Sequence, residues 1–348
     1  LPMTTSPAPL AMLRSSDSVR QMLPGVVTCA ARRAQVLTAA ELLGRRPVLD
    51  ALERRLASLK QGMAVSLLIT GPTRGGGTTL AQILVGAAKK RGCFVARASP
   101  ETTRPLSAVT AMLCQLVGLV PEERFARLDA ALEKLKIVAP VREAALAVAG
   151  VRQWSTPPTS GQAAHALRVV LRAVAGEQPT VVIFNALQVM DQASFDTFVT
   201  MAARPASREL VVGFSAPSDR DELLAGLQQI PLPALSRAEV ARLAGGALRL
   251  PAGERLGEWL WEQSGGAAGE AMELLSWLDE SGALVEQDGA MELASHEQRP
   301  PEGDVRLARL PLLPLADRLV LQVAASLGYR AEVSTLRRAS PEATQERL

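Results

Sequence analysis

The chain has 348 residues, 48% of them hydrophobic and 21% charged, with a formal net charge of +3. This is ordinary globular composition, long enough for one large domain or two to three smaller ones, with no need of disulfides or metals to hold a core. The small charge is no nucleic-acid footprint, the three cysteines (Cys29, Cys93, Cys114) form no C-x-x-C pair, and His165 and His296 alone do not build a zinc site.

No run of ~18 unbroken apolar residues offers a membrane span, and no charged start with an apolar core marks a leader. Widely spaced cysteines fit a reducing compartment, so a cytoplasmic location is expected. Aromatic residues are only 3%, and Ala, Leu and Val fill the apolar share, which favours helices. The base is nearly all arginine; the lysines are Lys60, Lys89, Lys90, Lys134 and Lys136.

Residues 1–41 are rich in Ser, Pro and Ala and read as a linker, with at most a short helix near 30–39. Pro47 suits the first turn of a helix, and Val48, Leu49, Leu52, Leu56 and Leu59 recur at helical spacing. A strand is expected at 64–70. The segment after it, Gly71-Pro-Thr-Arg74-Gly75-Gly76-Gly77-Thr78-Thr79, fits the phosphate-loop pattern G-x-x-x-x-G-K-[ST] at every position but one. Gly77 stands where the lysine belongs. A helix follows at 78–91, then a second strand from Cys93 to Ala98. Helices are expected near 105–119, 123–136, 140–150 and 161–175.

Thr180-Val-Val-Ile-Phe184 is short, apolar and β-branched, the mark of a strand buried on both faces. A helix at 192–203 begins after Asp191, which suits its N-cap. Glu209-Leu-Val-Val-Gly-Phe214 is the next strand, and Ile230 to Leu232 a weak last one. Strands alternating with helices predict an α/β domain with a parallel, doubly wound sheet over 42–233. From Ser236 the pattern is helical: 236–247, 253–263 and 267–281, opened by a Ser236/Glu239 capping box. A hairpin with Asp288-Gly289 in its turn is expected at 284–293. Helices at about 314–327 and 332–340 complete the pattern. The start at Leu1 and the stop in mid-pattern at Leu348 suggest a piece of something longer.

These residues resemble the STAND branch of the AAA+ ATPases, and more narrowly the origin-recognition-type ATPase modules of large bacterial regulators. The likeness runs from about Leu42 to Leu336. It is carried by Leu43-Gly44-Arg45, by the strand and glycine turn, by Asn185-Ala-Leu-Gln188-Val-Met-Asp191-Gln-Ala-Ser194, by Pro233-Ala-Leu-Ser236-Arg-Ala-Glu239, and by Ser264-Gly265-Gly266. The resemblance implies a P-loop NTPase-like domain at 42–233, a helical lid at 234–282 and a winged-helix-like segment at 283–348. Such modules occur beside Ser/Thr kinase, nucleotide cyclase or DNA-binding helix-turn-helix domains. The partners implied are therefore other protein domains or subunits; nucleic acid is less favoured, and a membrane is not expected.

The departures from the family fall at the chemistry. Its lysine contacts the terminal phosphates; Gly77 cannot, and Lys89 and Lys90 lie roughly 16 Å further along the helix at 1.5 Å per residue. The two acids that handle Mg²⁺ and the attacking water fall at Asn185 and Ala186. The basic residue sometimes found in the helix after the glycine corner falls near Gly269. The resemblance thus implies a catalytically degenerate module. What remains is a vestigial phosphate loop, Gly71, Arg74, Gly75, Gly76, Gly77, Thr78 and Thr79, with Gly44, Arg45, Asn185 and Ser215 around it. Backbone N–H groups and the helix start still favour an anion, and Arg74 is placed to fold over phosphates. The cofactor expected, if any, is ATP or ADP, with Mg²⁺ weak or absent. Two alternatives stay open: a slow ATPase using Arg74 and Asp191 as replacements, and a DNA-binding regulator using the C-terminal segment. For Arg45 and Arg46 the alternatives are contact with an adenine or a neighbouring subunit, and plain solvent exposure. Trp259, Trp261 and Trp277 are expected to pack the lid.

Overall fold

The computed structural model describes residues 44–100, 104–120, 123–152, 157–295 and 298–327, with Leu336 and Arg338. The expected linker at 1–41 and nearly all of the expected helix at 332–340 lie outside the described residues. The described residues form two compact units. One comprises those of Glu41–Glu239 with Gly265–Glu270, the other Val240–Ser264 with those from Ala271 onward.

The first unit is an α/β layer structure. Helix α1 (Arg46–Leu59) starts with Pro47 in its first turn and buries Val48, Leu52, Leu56 and Leu59. Strand β1 (Val65–Thr70) leads through the glycine turn into α2 (Gly77–Lys90), and β2 (Phe94–Ala98) follows. Then come α3 (Ser107–Leu116), α4 (Arg124–Lys134), α5 (Ala139–Val148) and α6 (Ser160–Ala175). Strand β3 (Thr180–Phe184) is buried along its whole length, as its β-branched run predicts. After it lie α7 (Gln192–Ala203), β4 (Glu209–Ser215), the short α8 (Asp221–Leu224) and β5 (Gln228–Pro231).

The five strands are parallel, in the order β2-β3-β4-β1-β5. Successive side chains on a strand point to opposite faces, so the sheet has two cores. On one face Leu67, Ile69, Val181, Ile183, Leu210, Val212 and Phe214 pack with the apolar stripes of α1 and α2. On the other, Leu68, Val182, Phe184 and Val211 pack with Met112, Leu146, Leu167, Phe195 and Phe198. A sheet covered on both faces needs strands without a polar side, which is why β3 and β4 read as apolar runs.

The second unit holds most of α9 (Arg237–Leu248), α10 (Glu254–Ser264), most of α11 (Ala268–Glu280), a hairpin and two further helices. The hairpin pairs β6 (Leu284–Gln287) with β7 (Ala290–Leu293). Its two turn residues, Asp288 and Gly289, have φ of 53° and 75°. Both being left-handed is the type I′ geometry that matches strand twist. Helices α12 (Val305–Ala308) and α13 (Leu315–Leu327) follow, separated by a 3₁₀ turn at Leu310–Leu312. Arg309 joins them to α11 through ion pairs with Glu273, at 3.0 Å, and Glu280. Of the tryptophans expected to pack here, Trp259 donates from Nε1 to the Gln298 carbonyl at 2.9 Å, whereas Trp261 is 40% exposed.

One glycine sets the spacing on the second core face. A Cβ on Gly213 of β4 would lie 2.5 Å from the tip of the Phe198 ring, whose centroid is 5.2 Å from that of Phe184. Neither ring has a free direction to retreat. Gly213→Ala is expected to destabilise the protein by about 1–3 kcal/mol through overpacking. The check is a lower denaturant midpoint at unchanged slope; an unchanged midpoint would mean the ring has room that the geometry denies it.

Candidate functional site

The site is built at the C-terminal ends of the parallel strands. Strand β1 ends at Thr70, in register with Ser215 of β4. The Gly71 N–H then donates to the Ser215 carbonyl at 3.1 Å, and the chain turns into the glycine loop. Gly71 has no room for a Cβ, which would meet the Leu232 carbonyl at 2.7 Å. The Gly75 N–H closes a turn on the Pro72 carbonyl at 2.8 Å. Arg74 is left-handed at φ 61°, and Gly76, the N-cap of α2, lies at φ 99°. Gly76 supplies no capping side chain, so the first-turn N–H groups of α2 get no side-chain cap from it. Thr78 is exposed and Thr79 half-buried on the turn that follows.

Gly77 differs from its neighbours. Its φ is unremarkable, and a Cβ there would sit 3.7 Å from the Phe214 ring, an ordinary contact. A Cβ at this position meets no steric bar.

Two arginines and a glycine hold the loop. Arg45 is 6% exposed. Its Nη2 donates to the Gly75 carbonyl at 2.8 Å, and its Nη1 donates to the Pro233 carbonyl. Burial pulls the guanidinium below the ordinary arginine pKa, and the Glu239 carboxylate partly offsets this. Solvent exposure, one of the alternatives for this residue, is therefore excluded, because its charge is spent on two main-chain oxygens. Arg46, by contrast, is exposed beside Asp50. Gly44 is left-handed at φ 65°, with the Glu239 carboxylate where a Cβ would project. Arg74 is ion-paired with Glu270. The Gly269 N–H donates to the Arg74 carbonyl at 2.7 Å, and a Cβ on Gly269 would lie 2.8 Å from that oxygen. A basic residue at 269 is thus excluded by the loop's own backbone.

Asn185 follows β3 and is 4% exposed. Its N–H donates to the Ala98 carbonyl at 2.9 Å, extending the sheet. Its amide, oriented by the hydrogen-bond network, accepts through Oδ1 from Arg97 Nε at 2.8 Å and Nη2 at 2.5 Å. Burial also lowers the Arg97 pKa. Ala186 is left-handed at φ 51° and opens the 3₁₀ turn Leu187–Val189. That turn is braced: Arg220 Nη1 donates to the Leu187 and Met190 carbonyls, both at 2.8 Å, and its guanidinium lies 4.7 Å from the Phe195 ring centroid. Ser215 donates from Oγ to the Ala216 carbonyl at 2.9 Å, and Gln188 Oε1 accepts from the Ala216 N–H at 3.1 Å.

Asp191 caps α7, accepting from the Ser194 N–H at 2.9 Å, as its place before the helix predicts. It also accepts from the Leu106 N–H at 2.7 Å and the Ser107 hydroxyl at 3.0 Å, so one carboxylate starts two helices.

The structure therefore gathers the loop with Arg45 and Ser215, and sets Asn185 on the neighbouring strand. The sequence reading missed Arg97, Arg220 and Glu270. The signal for Arg97 was present: it is the one charge in the apolar strand Phe-Val-Ala-Arg-Ala. The positions after β3 do not fit a magnesium ion: Asn185 has one candidate oxygen and Arg97 fills it, and Ala186 has none, which leaves the Thr78 hydroxyl alone. No group of three or more His, Cys, Asp or Glu that could hold a metal occurs among the described residues. The residues fit a phosphate only through backbone N–H groups, the threonine hydroxyls and nearby positive charge.

Because Asp191 serves two helix starts, Asp191→Ala is expected to cost about 1–2 kcal/mol of stability, as lost caps do. ADP affinity should not change, as read by titration calorimetry on the folded variant. A loss of affinity with stability intact would instead make Asp191 a site residue.

Residues 41–212, about half of the chain, match the family model of the AAA ATPase domain. No curated protein matches the chain. Solved structures similar to it include a Thermotoga maritima RuvB variant, with 13% identity and a TM-score of 0.41 over 86% of this chain and 82% of that one. Drosophila ORC bound to DNA has 12% identity and a TM-score of 0.49 over 97% and 82%. A Pyrococcus horikoshii STAND protein with a tetratricopeptide repeat sensor has 13% identity and a TM-score of 0.44, over 80% of this chain but 34% of its own. The glycine loop between β1 and α2 and the buried strand β3 lie within the residues that match: residues 41–212 are similar to the AAA ATPase domain.

Proposed function

We propose that this chain is a catalytically degenerate AAA+ module of the STAND type, serving as a regulatory or scaffolding part of a bacterial signalling protein. The observation that carries the reading is the chemistry at the strand ends. Gly77, Asn185 and Ala186 occupy the lysine and acid positions, and none can neutralise or activate a triphosphate. Each missing group is worth several orders of magnitude in phosphoryl transfer. Gly77 supports the reading, since a Cβ there would make only an ordinary contact and the glycine is not required for space. Nucleotide binding is then weak, and regulation runs through contacts with other protein domains or subunits.

Residues 234–282 are assigned on this reading to a lid and 283–348 to a winged-helix-like segment. Cys93 and Cys114, buried and not joined in a disulfide, fit the cytoplasmic site of action assigned on this reading. No helix among the described residues is long and apolar enough to cross a membrane. The slow-ATPase alternative is weakened because its two replacement residues are engaged: Arg74 with Glu270, and Asp191 with two helix starts.

Purified protein with Mg-ATP is expected to release no phosphate above background. Ordinary turnover that stops with Thr78→Ala would overturn the proposal. Gly77→Lys is expected to tighten ATP binding by about 10- to 100-fold, the scale of one charge-assisted contact. It should do so with an unchanged melting temperature and still no hydrolysis, because Asn185 and Ala186 remain. A Gly77→Lys protein that hydrolyses ATP would show that the acids are dispensable.

A further inference from the structure

We infer that Arg97 replaces the divalent cation at this site, so that phosphate ligands bind the glycine loop without metal. The inference rests on the reading above of a non-hydrolytic loop and adds how that loop takes a ligand.

The placement follows from strand alternation. On β2, Ala96 and Ala98 belong to the core on the far side of the sheet. Arg97 therefore projects toward the face that carries α2. On β3, Val181 and Ile183 face α2, and so does Asn185 two residues on. On β4, Phe214 faces α2, and position 77 at the start of that helix lies directly over its ring. The register pairs Arg97 with Ile183, and Phe184 with Gly213, which puts Asn185 beside Phe214. Asn185 thus lies one strand spacing of about 4.8 Å from Phe214, against whose ring α2 begins, and Arg97, two residues short of that level on β2, reaches Asn185 with its guanidinium. Thr78, the first hydroxyl of that turn, is exposed.

The charge balance is unusual. Arg97 is half-buried, yet its two donors converge on the oxygen of a neutral amide. No described carboxylate pairs with it, and burial alone accounts for its lowered pKa. A partly desolvated cation without a counter-ion favours an anion nearby. The same contact takes the Asn185 amide oxygen, the side-chain oxygen left at the acid position, and a guanidinium repels a dication at that distance. Positive charge is therefore already present where the helix N-terminus and loop N–H groups also attract an anion. The ligand class is a phosphate-bearing molecule such as a nucleoside diphosphate or triphosphate.

The test is calorimetric titration of the full chain with ADP and with ATP, in Mg²⁺ and in EDTA, with phosphate release measured in the same samples. The expected result is the same Kd with and without metal. Arg97→Met, which keeps the apolar stem, should weaken binding about tenfold or more, the scale of one charge-assisted contact. Arg97→Lys should retain part of the affinity. Arg97→Met with Asn185→Asp should turn binding metal-dependent, because the carboxylate is freed. Melting curves without ligand establish that each variant is folded, and the wild-type comparison needs no variant. Absence of ADP and ATP binding in the wild type, a requirement for Mg²⁺, or indifference to Arg97→Met each overturns the inference. None of these touches the proposed function, which fails only if phosphate is released.

Discussion

The turn between β1 and α2 keeps its shape because its carbonyl oxygens are held from outside. Arg45 donates to Gly75 and the Gly269 N–H donates to Arg74. A left-handed arginine, as Arg74 is at φ 61°, is a conformation that persists only when its surroundings over-determine it. The buried Arg45 guanidinium supplies one constraint and the close approach of Gly269 supplies the other. With the turn fixed, the N–H groups at the start of α2 stay presented whether or not a lysine follows them. The anion-attracting part of the site is main chain, and the main chain is what these contacts protect.

Side chains around the loop tell the opposite story. Nearly every polar group at the ends of β3 and β4 is spent on the protein itself. Asn185 is bound by Arg97, Ser215 by its own neighbour's carbonyl, and Asp191 by two helix starts. Arg220 is clamped on the carbonyls of the 3₁₀ turn. Buried polar groups must find partners, and these find them in the fold. The framework and the chemistry of such a site are physically separable. Backbone geometry depends on glycines and packing, while charge handling depends on a few side chains that can be exchanged without disturbing it. Gly77 illustrates this, since a Cβ there would make only an ordinary contact with the Phe214 ring.

Elements with a local cause were legible in the sequence. Pro47 marks the start of α1, the β-branched run marks β3, and Asp288-Gly289 marks the hairpin turn. The Ser236/Glu239 capping box is present, with the Glu239 carboxylate accepting from the Ser236 N–H at 2.8 Å. The turn at Leu187–Val189 and the helix Asp221–Leu224 were not foreseen, because neither is long enough to display a period. Trp261 was expected to pack and is exposed, while Arg45, for which solvent was one alternative, is buried. Hydrophobicity and charge give the average preference of a residue type, and individual positions depart from it when the neighbours demand.

What the residues determined alone was the alternation of strands and helices, the glycine turn and the absence of a lysine and two acids, because each is encoded within a few positions of the chain. Only the tertiary structure decided the strand order β2-β3-β4-β1-β5, which sets Asn185 two strands from β1, the strand that carries the loop. It also decided the partners of the arginines. Arg74 and Glu270 are 196 residues apart, and Arg45 and Pro233 are 188 apart. Contacts across such separations come from packing layers against one sheet, and no periodicity along the chain records them.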